Sequence, residues 1–120
     1  MKNEKVYNFK KRSFLFSLQI IRFLKNLPRN NFIVDTLSKQ LLRSATSIGA
    51  NIIEAQAAPS KKDFANFYNI SLKSANETKY WLLLLDKSNI GDKQKINNLL
   101  EEAKEISNIL GKSLLTMRGK

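Results

Sequence analysis

Apolar residues recur along most of the chain at intervals of three and four positions, which is the repeat of an amphipathic α-helix. No segment alternates apolar and polar residues with the period of two that is typical of a strand. The breaks between the periodic stretches coincide with Pro28, Pro59 and Gly91, residue types that interrupt helices. The pattern therefore predicts four helices, which span residues 4–27, 34–57, 61–88 and 92–117.

The helix ends and the short connections indicate how these helices pack. Ser60 stands ahead of the third helix with Asp63 in its first turn, and Asp92 stands ahead of the fourth, so both helices begin at a capping residue. Connections of a few residues make consecutive helices antiparallel neighbours. A chain of 120 residues can bury one core. The predicted fold is all-α, an antiparallel up-down-up-down four-helix bundle that forms a single domain over residues 1–120.

Some helix positions depart from a simple one-faced bundle. The third helix has small residues at the middle of its core stripe, Ser71, Ser74 and Ala75, so another helix can approach closely there. Apolar residues also lie off the main stripes: Leu42, Gly49 and Ile53 on the second helix, and Phe14, Leu15 and Leu18 on the first. Extra apolar faces indicate either contacts between subunits or a wide core stripe.

Positive charge is concentrated in the first helix. The chain has 21 Lys and Arg against 10 Asp and Glu, and in residues 1–30 Glu4 is the only acid among eight cations. Five of the cations fall within an arc of about 160° on a helical wheel, on the side away from Phe9, Phe16 and Phe23. Such a face is typical of a surface that binds a polyanion. The predicted nucleic-acid-binding residues are Lys5, Lys10, Lys11, Arg12, Arg22, Lys25 and Arg29.

The same charges have two other interpretations. A solvated lysine-rich face that aids solubility would have the same sequence pattern as a polyanion-binding face. An amphipathic helix lying on a membrane surface would also have this pattern. The membrane interpretation conflicts with the need of the bundle core for the aromatic side of this helix. Few aromatic residues are interleaved with the cations, so contacts to the phosphate backbone are favoured over base stacking.

Composition argues against catalysis. Histidine and cysteine are absent, which excludes disulfides, thiol nucleophiles, imidazole chemistry and the usual zinc sites. Ser44 and Ser47 would need a desolvated lysine as base, and Lys39 and Lys79 lie off the predicted core stripes. No glycine-rich phosphate loop is present. We therefore expect no enzyme, no metal and no cofactor.

The chain carries no signal for a membrane or for export. The N-terminus has no apolar segment followed by small residues, as a signal peptide would have. The longest apolar run, Trp81 to Leu85, is far shorter than the ~20 residues that span a bilayer. These features predict a soluble cytoplasmic protein without a membrane partner.

A polar stripe accompanies the apolar stripe of the second helix. It consists of Gln40, Arg43, Ser47, Asn51 and Glu54, spaced by three or four residues. On the third helix, Glu77 flanks the core stripe and could meet it. We expect Glu54 or Glu77 to hydrogen-bond with Arg43 or Asn51. This network would fix helix register or subunit orientation, or else contact a ligand.

The segment from Gln40 to Ala55 follows the pattern Q-L-x-R-x-x-x-S-I-x-x-N-I-x-E-A. It is followed by Asp63-Phe64 with Phe67, and then by a small-residue helix that reads S-x-x-E from Ser74 to Glu77. Together these motifs resemble the four-helix-bundle family named for open reading frames inside intervening sequences of bacterial 23S rRNA genes. Gly49 stands where many relatives have proline.

The resemblance implies an antiparallel four-helix bundle that assembles as a homopentamer. A related group consists of accessory proteins of diversity-generating retroelements, which work with a reverse transcriptase and nucleic acid, so such an enzyme is a candidate partner. We therefore expect a bacterial, basic, non-enzymatic oligomer that binds nucleic acid, RNA before DNA, through the phosphate backbone. The alternative is a structural or interaction scaffold with no direct nucleic-acid role.

Overall fold

The computed structural model describes residues 2–119, and four α-helices account for most of them. They are α1 (Lys2–Lys25), α2 (Phe32–Gln56), α3 (Lys61–Lys87) and α4 (Lys93–Gly119). Residues 2–119 contain no strand, which confirms the all-α prediction. Each helix begins and ends within two residues of its predicted limits.

Side chains just outside the helices explain where they begin. The Asn31 side chain accepts hydrogen bonds from the backbone N–H groups of Ile33 and Val34, so α2 begins earlier than predicted. Ser60 Oγ accepts from the N–H of Asp63 and donates to its carboxylate, as the sequence predicted for α3. The Asp92 carboxylate accepts from the N–H of Lys95 and caps α4.

Gly91 fits the short connection between α3 and α4 for two reasons. Its φ is 90°, in the left-handed region that side chains disfavour. A Cβ added there would also lie 2.8 Å from the Phe23 ring of α1. The connection can therefore pass directly over the end of α1, which brings the first turn of α4 close to the last turns of α1.

The helices enclose one elongated core, and the molecule measures 48 × 23 × 21 Å. Each helix packs on its neighbours in the chain, and α1 also contacts α4. The contact between α2 and α3 is the most extensive, whereas α1 and α4 touch the least. The largest fully buried apolar side chains come from all four helices: Phe16, Ile20, Leu41, Ile48, Ile52, Leu82, Leu85, Ile96, Ile106 and Leu110.

A row of hydroxyl side chains joins α2 to α3, and we call it the hydroxyl seam (Ser44, Ser47, Ser71, Ser74 and Thr78). Ser44 Oγ lies 2.9 Å from Thr78 Oγ1, and Ser74 Oγ donates to Ser47 Oγ at 2.9 Å. Ser71 Oγ donates to the Ile48 carbonyl oxygen at 2.9 Å. The predicted close approach at the small residues of the third helix is confirmed.

Gly49 fits one of the two interpretations of the extra apolar residues on α2. These residues were expected to form either subunit contacts or a wide core stripe, and Gly49 is buried against α1, as a wide core stripe requires. A Cβ added at Gly49 would lie 3.3 Å from Ser13 Oγ and 3.4 Å from the Ser13 carbonyl oxygen. The small residue therefore lets the backbones of α1 and α2 approach. Its stripe companions Leu42 and Ile53 are exposed.

Tyr68 of α3 closes one end of the core. Its side chain is buried between Phe64, with ring centroids 4.5 Å apart, and Phe9 of α1, at 6.3 Å. Burial raises the pKa of the Tyr68 hydroxyl above its ordinary value. This is an ionisable group on the core side of the bundle.

Candidate nucleic-acid interface and polar network

The basic residues of the first helix and its connection differ in exposure and in the neighbouring helix that they face. Lys5, Lys11 and Lys25 are exposed, Arg29 is exposed beyond the helix, and Lys10 is half-buried. Arg22 lines a cleft toward α4, whereas Lys25 and Arg29 line a groove toward α2. The nucleic-acid-binding role of these residues stays a prediction, and the structure adds which neighbouring helix lies beside each flank of the basic face.

Arg12 contacts α4 instead of solvent alone. Its Nε lies 2.6 Å from Glu102 Oε2 and its second guanidinium nitrogen lies 2.9 Å from Oε1, a bidentate pair. The hydrogen bond to Glu102 raises the pKa of Arg12, and the charge of Glu105 acts in the same direction. The positive charge predicted at this position is locally neutralised, so Arg12 is a weaker candidate for phosphate contact than its neighbours.

The surface between α1 and α4 forms two adjoining depressions, which we together call the α1–α4 cleft. One has a volume of about 290 Å³ and contains the Arg12–Glu102 pair. The other has a volume of about 260 Å³ and is lined by Gln19, Arg22, Phe23, Asn26, Lys95, Asn98 and Leu99. Gln19 and Asn98 line both depressions and mark the boundary between them.

Lys95 joins the candidate interface although sequence reasoning did not select it. It lies in the first turn of α4, beside Arg22 in the same depression. A signal for it existed: in an antiparallel bundle the start of the fourth helix lies near the end of the first. Lys95 is also one turn before Leu99, a core position.

The opposite flank of α1 faces a groove of about 400 Å³ toward α2. Its floor is apolar, and its edges carry more positive than negative charge. The apolar lining is Ile21, Leu24, Leu27, Val34 and Leu42, and the charged lining is Lys25, Arg29, Lys39 and Asp35. Phe14 and Ile53, on the same two helices, are 56% and 46% exposed.

The predicted polar network is present between α2 and α3, and it lies near solvent. Arg43 donates to Gln40 at 2.9 Å and to Glu77 at 3.4 Å. Trp81 Nε1 also donates to Glu77, at 3.0 Å, a partner that the sequence did not suggest. The Arg43 side chain is 69% exposed. The charges therefore stay hydrated, and the ion pair adds little to stability.

Ser47 and Asn51 of the polar stripe point into the hydroxyl seam, whereas Glu54 does not. Asn51 donates to Ser47 Oγ at 3.0 Å, and Ser47 accepts from Ser74 of α3. These contacts connect the stripe to the hydroxyl seam. Glu54 is exposed and joins no side-chain hydrogen bond within residues 2–119, so of the two carboxylates expected to reach Arg43 or Asn51, Glu77 makes the contact.

The described residues provide neither a metal centre nor a membrane span. Within residues 2–119, no three carboxylates come together as a metal centre would require. None of the helices over the same residues combines the length and the apolar character that crossing a bilayer demands.

Comparison with known proteins assigns the family. The sequence profile of the family described as "23S rRNA-intervening sequence protein" matches residues 5–112. A solved structure at 1.70 Å resolution, described as a protein with unknown function from the S23 ribosomal protein family from Bacteroides thetaiotaomicron VPI-5482, is 39% identical with a TM-score of 0.78. The match covers 88% of this chain and 97% of that one. No curated protein is significantly similar to the chain. The match over nearly the whole length means that this chain belongs to the 23S rRNA-intervening sequence protein family.

Proposed function

We propose that this chain is a basic, non-enzymatic, oligomeric protein that binds nucleic acid, RNA before DNA, through the phosphate backbone. We infer that its scaffold is an antiparallel up-down-up-down bundle forming a single domain over residues 1–120. The hydroxyl seam supports this arrangement, because rising numbers on α2 pair with falling numbers on α3. Across the other seam, Arg12 meets Glu102 while Arg22 shares a depression with Lys95, again in opposite directions.

The observation that carries the nucleic-acid proposal is a group of exposed cations at one end of the molecule. Arg22, Lys25 and Arg29 of the first helix and its connection lie there, and Lys95 of α4 adds to them. The family description names the 23S rRNA intervening sequence, which favours RNA. Lysines are hydrated point charges that attract phosphates without reading base edges, so we expect weak sequence discrimination.

The test is a salt titration of labelled RNA and DNA against the wild type and the double variant Arg22→Glu/Lys25→Glu. If one protomer neutralises about four phosphates, the logarithm of affinity should fall against the logarithm of salt with a slope of roughly −3 to −4. The double variant should bind every sequence more weakly and with a shallower slope, and should remain folded because both side chains are exposed.

A matched control separates a local interface from overall charge. The variant Lys73→Glu/Lys104→Glu makes the same change in net charge at exposed positions on α3 and α4. It should lose much less affinity than the α1 variant. Equal losses in the two variants, or no binding by the wild type at about 50 mM salt, would contradict a nucleic-acid interface on α1.

We further propose that the protein is a homo-oligomer, and the family resemblance suggests five copies. Support comes from exposed apolar side chains along α1 and α2: Phe14 (56% exposed), Leu42 (40%) and Ile53 (46%). A surface of this kind is typical of subunit contacts. A closed ring would repeat the basic end around an axis and so strengthen binding to a long polyanion.

Light scattering tests the oligomer. The wild type should scatter as a multiple of 13.8 kDa, and Phe14→Asp or Ile53→Asp should shift it toward one protomer. Leu115→Asp is the control, because Leu115 is 65% exposed near the end of α4. A wild-type mass near 13.8 kDa at micromolar concentration would reject self-association.

The same apolar surface favours one alternative function, a scaffold that binds protein partners and has no direct role with nucleic acid. The two functions differ in a simple measurement. A scaffold would assemble as proposed and yet show no salt-dependent binding to RNA or DNA. In that case the cations of α1 would serve solubility alone.

A further inference from the structure

The α1–α4 cleft is shaped and charged differently from the outer surface of α1. We propose that its depression of about 260 Å³ is a subsite for one nucleotide unit of single-stranded RNA, with the phosphate held between Arg22 and Lys95. This subsite rests on the nucleic-acid binding proposed above. It also names a class of ligand, a flexible single strand, that a solvated lysine face would not select.

The depression combines the groups that a nucleotide needs. Arg22 from α1 and Lys95 from α4 supply two cations from opposite walls, so a phosphate between them gains from both. Phe23 and Leu99 form an apolar floor against which a sugar or base can pack. The ion pairs within residues 2–119 are Arg12–Glu102, Arg43–Glu77 and Lys93–Asp86, and neither wall cation belongs to one of them.

The carboxylates nearby set the limits of the subsite. Glu102 lines the adjoining depression in its pair with Arg12, and Glu105 lies close enough to act on Arg12 as well. Negative charge at that end repels phosphates, whereas the end with Arg22 and Lys95 attracts them. A strand should therefore enter at the basic end and turn out of the cleft near Gln19 and Asn98.

Volume and side-chain chemistry together indicate the kind of nucleic acid. A depression of about 260 Å³ has room for about one nucleotide, so a base-paired duplex cannot enter it. Gln19, Asn26 and Asn98 present side-chain amides that both donate and accept hydrogen bonds. Gln94 donates to Asn98 Oδ1 at 3.1 Å, which orients this amide with its Nδ2 group left to donate. A ribose 2′-hydroxyl also donates and accepts, and deoxyribose lacks it.

The experiment measures binding of unstructured strands by fluorescence anisotropy. The probes are labelled oligouridine and oligodeoxyuridine of roughly 12 nucleotides and an RNA duplex of the same length. Lys95→Glu should weaken oligouridine binding by about tenfold or more, as expected for losing a hydrogen bond to a charged group. The slope of log affinity against log salt should become shallower by about 1.

Matched controls lie on the same helix. Lys104→Glu makes the same charge change at an exposed position outside the cleft, and its effect should be much smaller. Asn98→Leu should lower the preference for oligouridine over oligodeoxyuridine by roughly threefold to tenfold, whereas Asn108→Leu should leave it unchanged. Circular dichroism of each variant checks that the bundle is folded.

The outcomes separate this inference from the broader proposal. If Lys95→Glu and Lys104→Glu behave alike while Arg22→Glu/Lys25→Glu still weakens binding, the subsite is rejected and the α1 interface stands. If the duplex binds as tightly as the single strand, or Asn98→Leu leaves the RNA preference unchanged, the assignment to single-stranded RNA is rejected. If no probe binds the wild type at about 50 mM salt, the broader proposal fails and the subsite with it.

Discussion

The seam between α2 and α3 and the seam between α1 and α4 show two ways of joining helices in one molecule. The first is closed by short hydroxyl side chains that bond to each other or to backbone, and Ser71 and Thr78 are fully buried there. The second is bridged by long polar side chains and keeps two depressions open to solvent. A closed seam contributes stability, whereas an open seam leaves polar groups available to a ligand.

Charged side chains also have different roles in the two seams. At the edge of the closed seam, Arg43 and Glu77 form an ion pair near solvent, beside buried hydroxyls that hold the helices. In the open seam, Arg12 and Glu102 form the bidentate bridge, and Arg22 and Lys95 keep their charge at the surface. We therefore expect substitutions in the closed seam to change stability, and those in the open seam to change binding.

The largest expected effect is on the closed seam. Ser71→Leu should lower the free energy of unfolding by about 1–3 kcal/mol, because the larger side chain must fit where Ser71 Oγ lies 2.9 Å from the Ile48 carbonyl oxygen. Gln19→Leu in the open seam should change it by less than about 0.5 kcal/mol. Urea denaturation at one fixed protein concentration compares them, and equal midpoints would remove the distinction between the seams.

A smaller effect is expected for the ion pair at the edge of the closed seam. If Arg43 were buried, Glu77→Leu would cost about 3–5 kcal/mol by leaving that charge unpaired. Since the Arg43 side chain is 69% exposed, we now expect a loss below about 1 kcal/mol. The thermal midpoint of this variant, with Glu54→Leu as an exposed control, measures it. A loss as large as that of Ser71→Leu would show that the pair is part of the closed seam.

The smallest expected effect is on the unfolding free energy at alkaline pH. It concerns Tyr68, which lies on the core side of α3. Burial raises the pKa of Tyr68, so the unfolded chain loses this proton first, near pH 10. The stability that the neutral hydroxyl contributes is complete below that pH and is lost as pH rises through the higher folded-state pKa. The unfolding free energy of Tyr68→Phe should therefore fall less steeply above pH 10 than that of the wild type. Parallel pH profiles would contradict this.

Much of the fold could be predicted because the spacing of apolar residues and the capping residues that define a helix lie close together in the sequence. The spacing of apolar residues indicated four helices, and Ser60 and Asp92 indicated two of their first turns. The small residues of α3 indicated the close approach of α2, since short side chains at core positions leave room for the backbone of a neighbouring helix. The first turn of α2 was missed because Asn31 caps it beyond two exposed apolar residues, Phe32 and Ile33.

The candidate site was less predictable because it depends on distant parts of the chain. Arg12 and Glu102 are 90 positions apart, and nothing in the sequence near Arg12 identifies its partner. A helical wheel shows the direction in which each cation projects from the axis of α1. It does not show where the neighbouring helices lie, so it could not tell that Arg22 lies beside α4 and Lys25 beside α2. Lys95 was missed for the same reason, since it becomes a candidate for phosphate contact only because it shares a depression with Arg22 of α1.

The hydroxyl seam also bears on the order in which the chain folds. Its hydrogen bonds join residues only 23 to 34 positions apart, so α2 and α3 can pair soon after both have been synthesised. α1 leaves the ribosome before them, yet its bridge to α4 requires Glu102, near the end of the chain. During synthesis, α1 therefore lacks its contacts with α4 until α4 has been made, while its Lys and Arg side chains already outnumber its acidic ones.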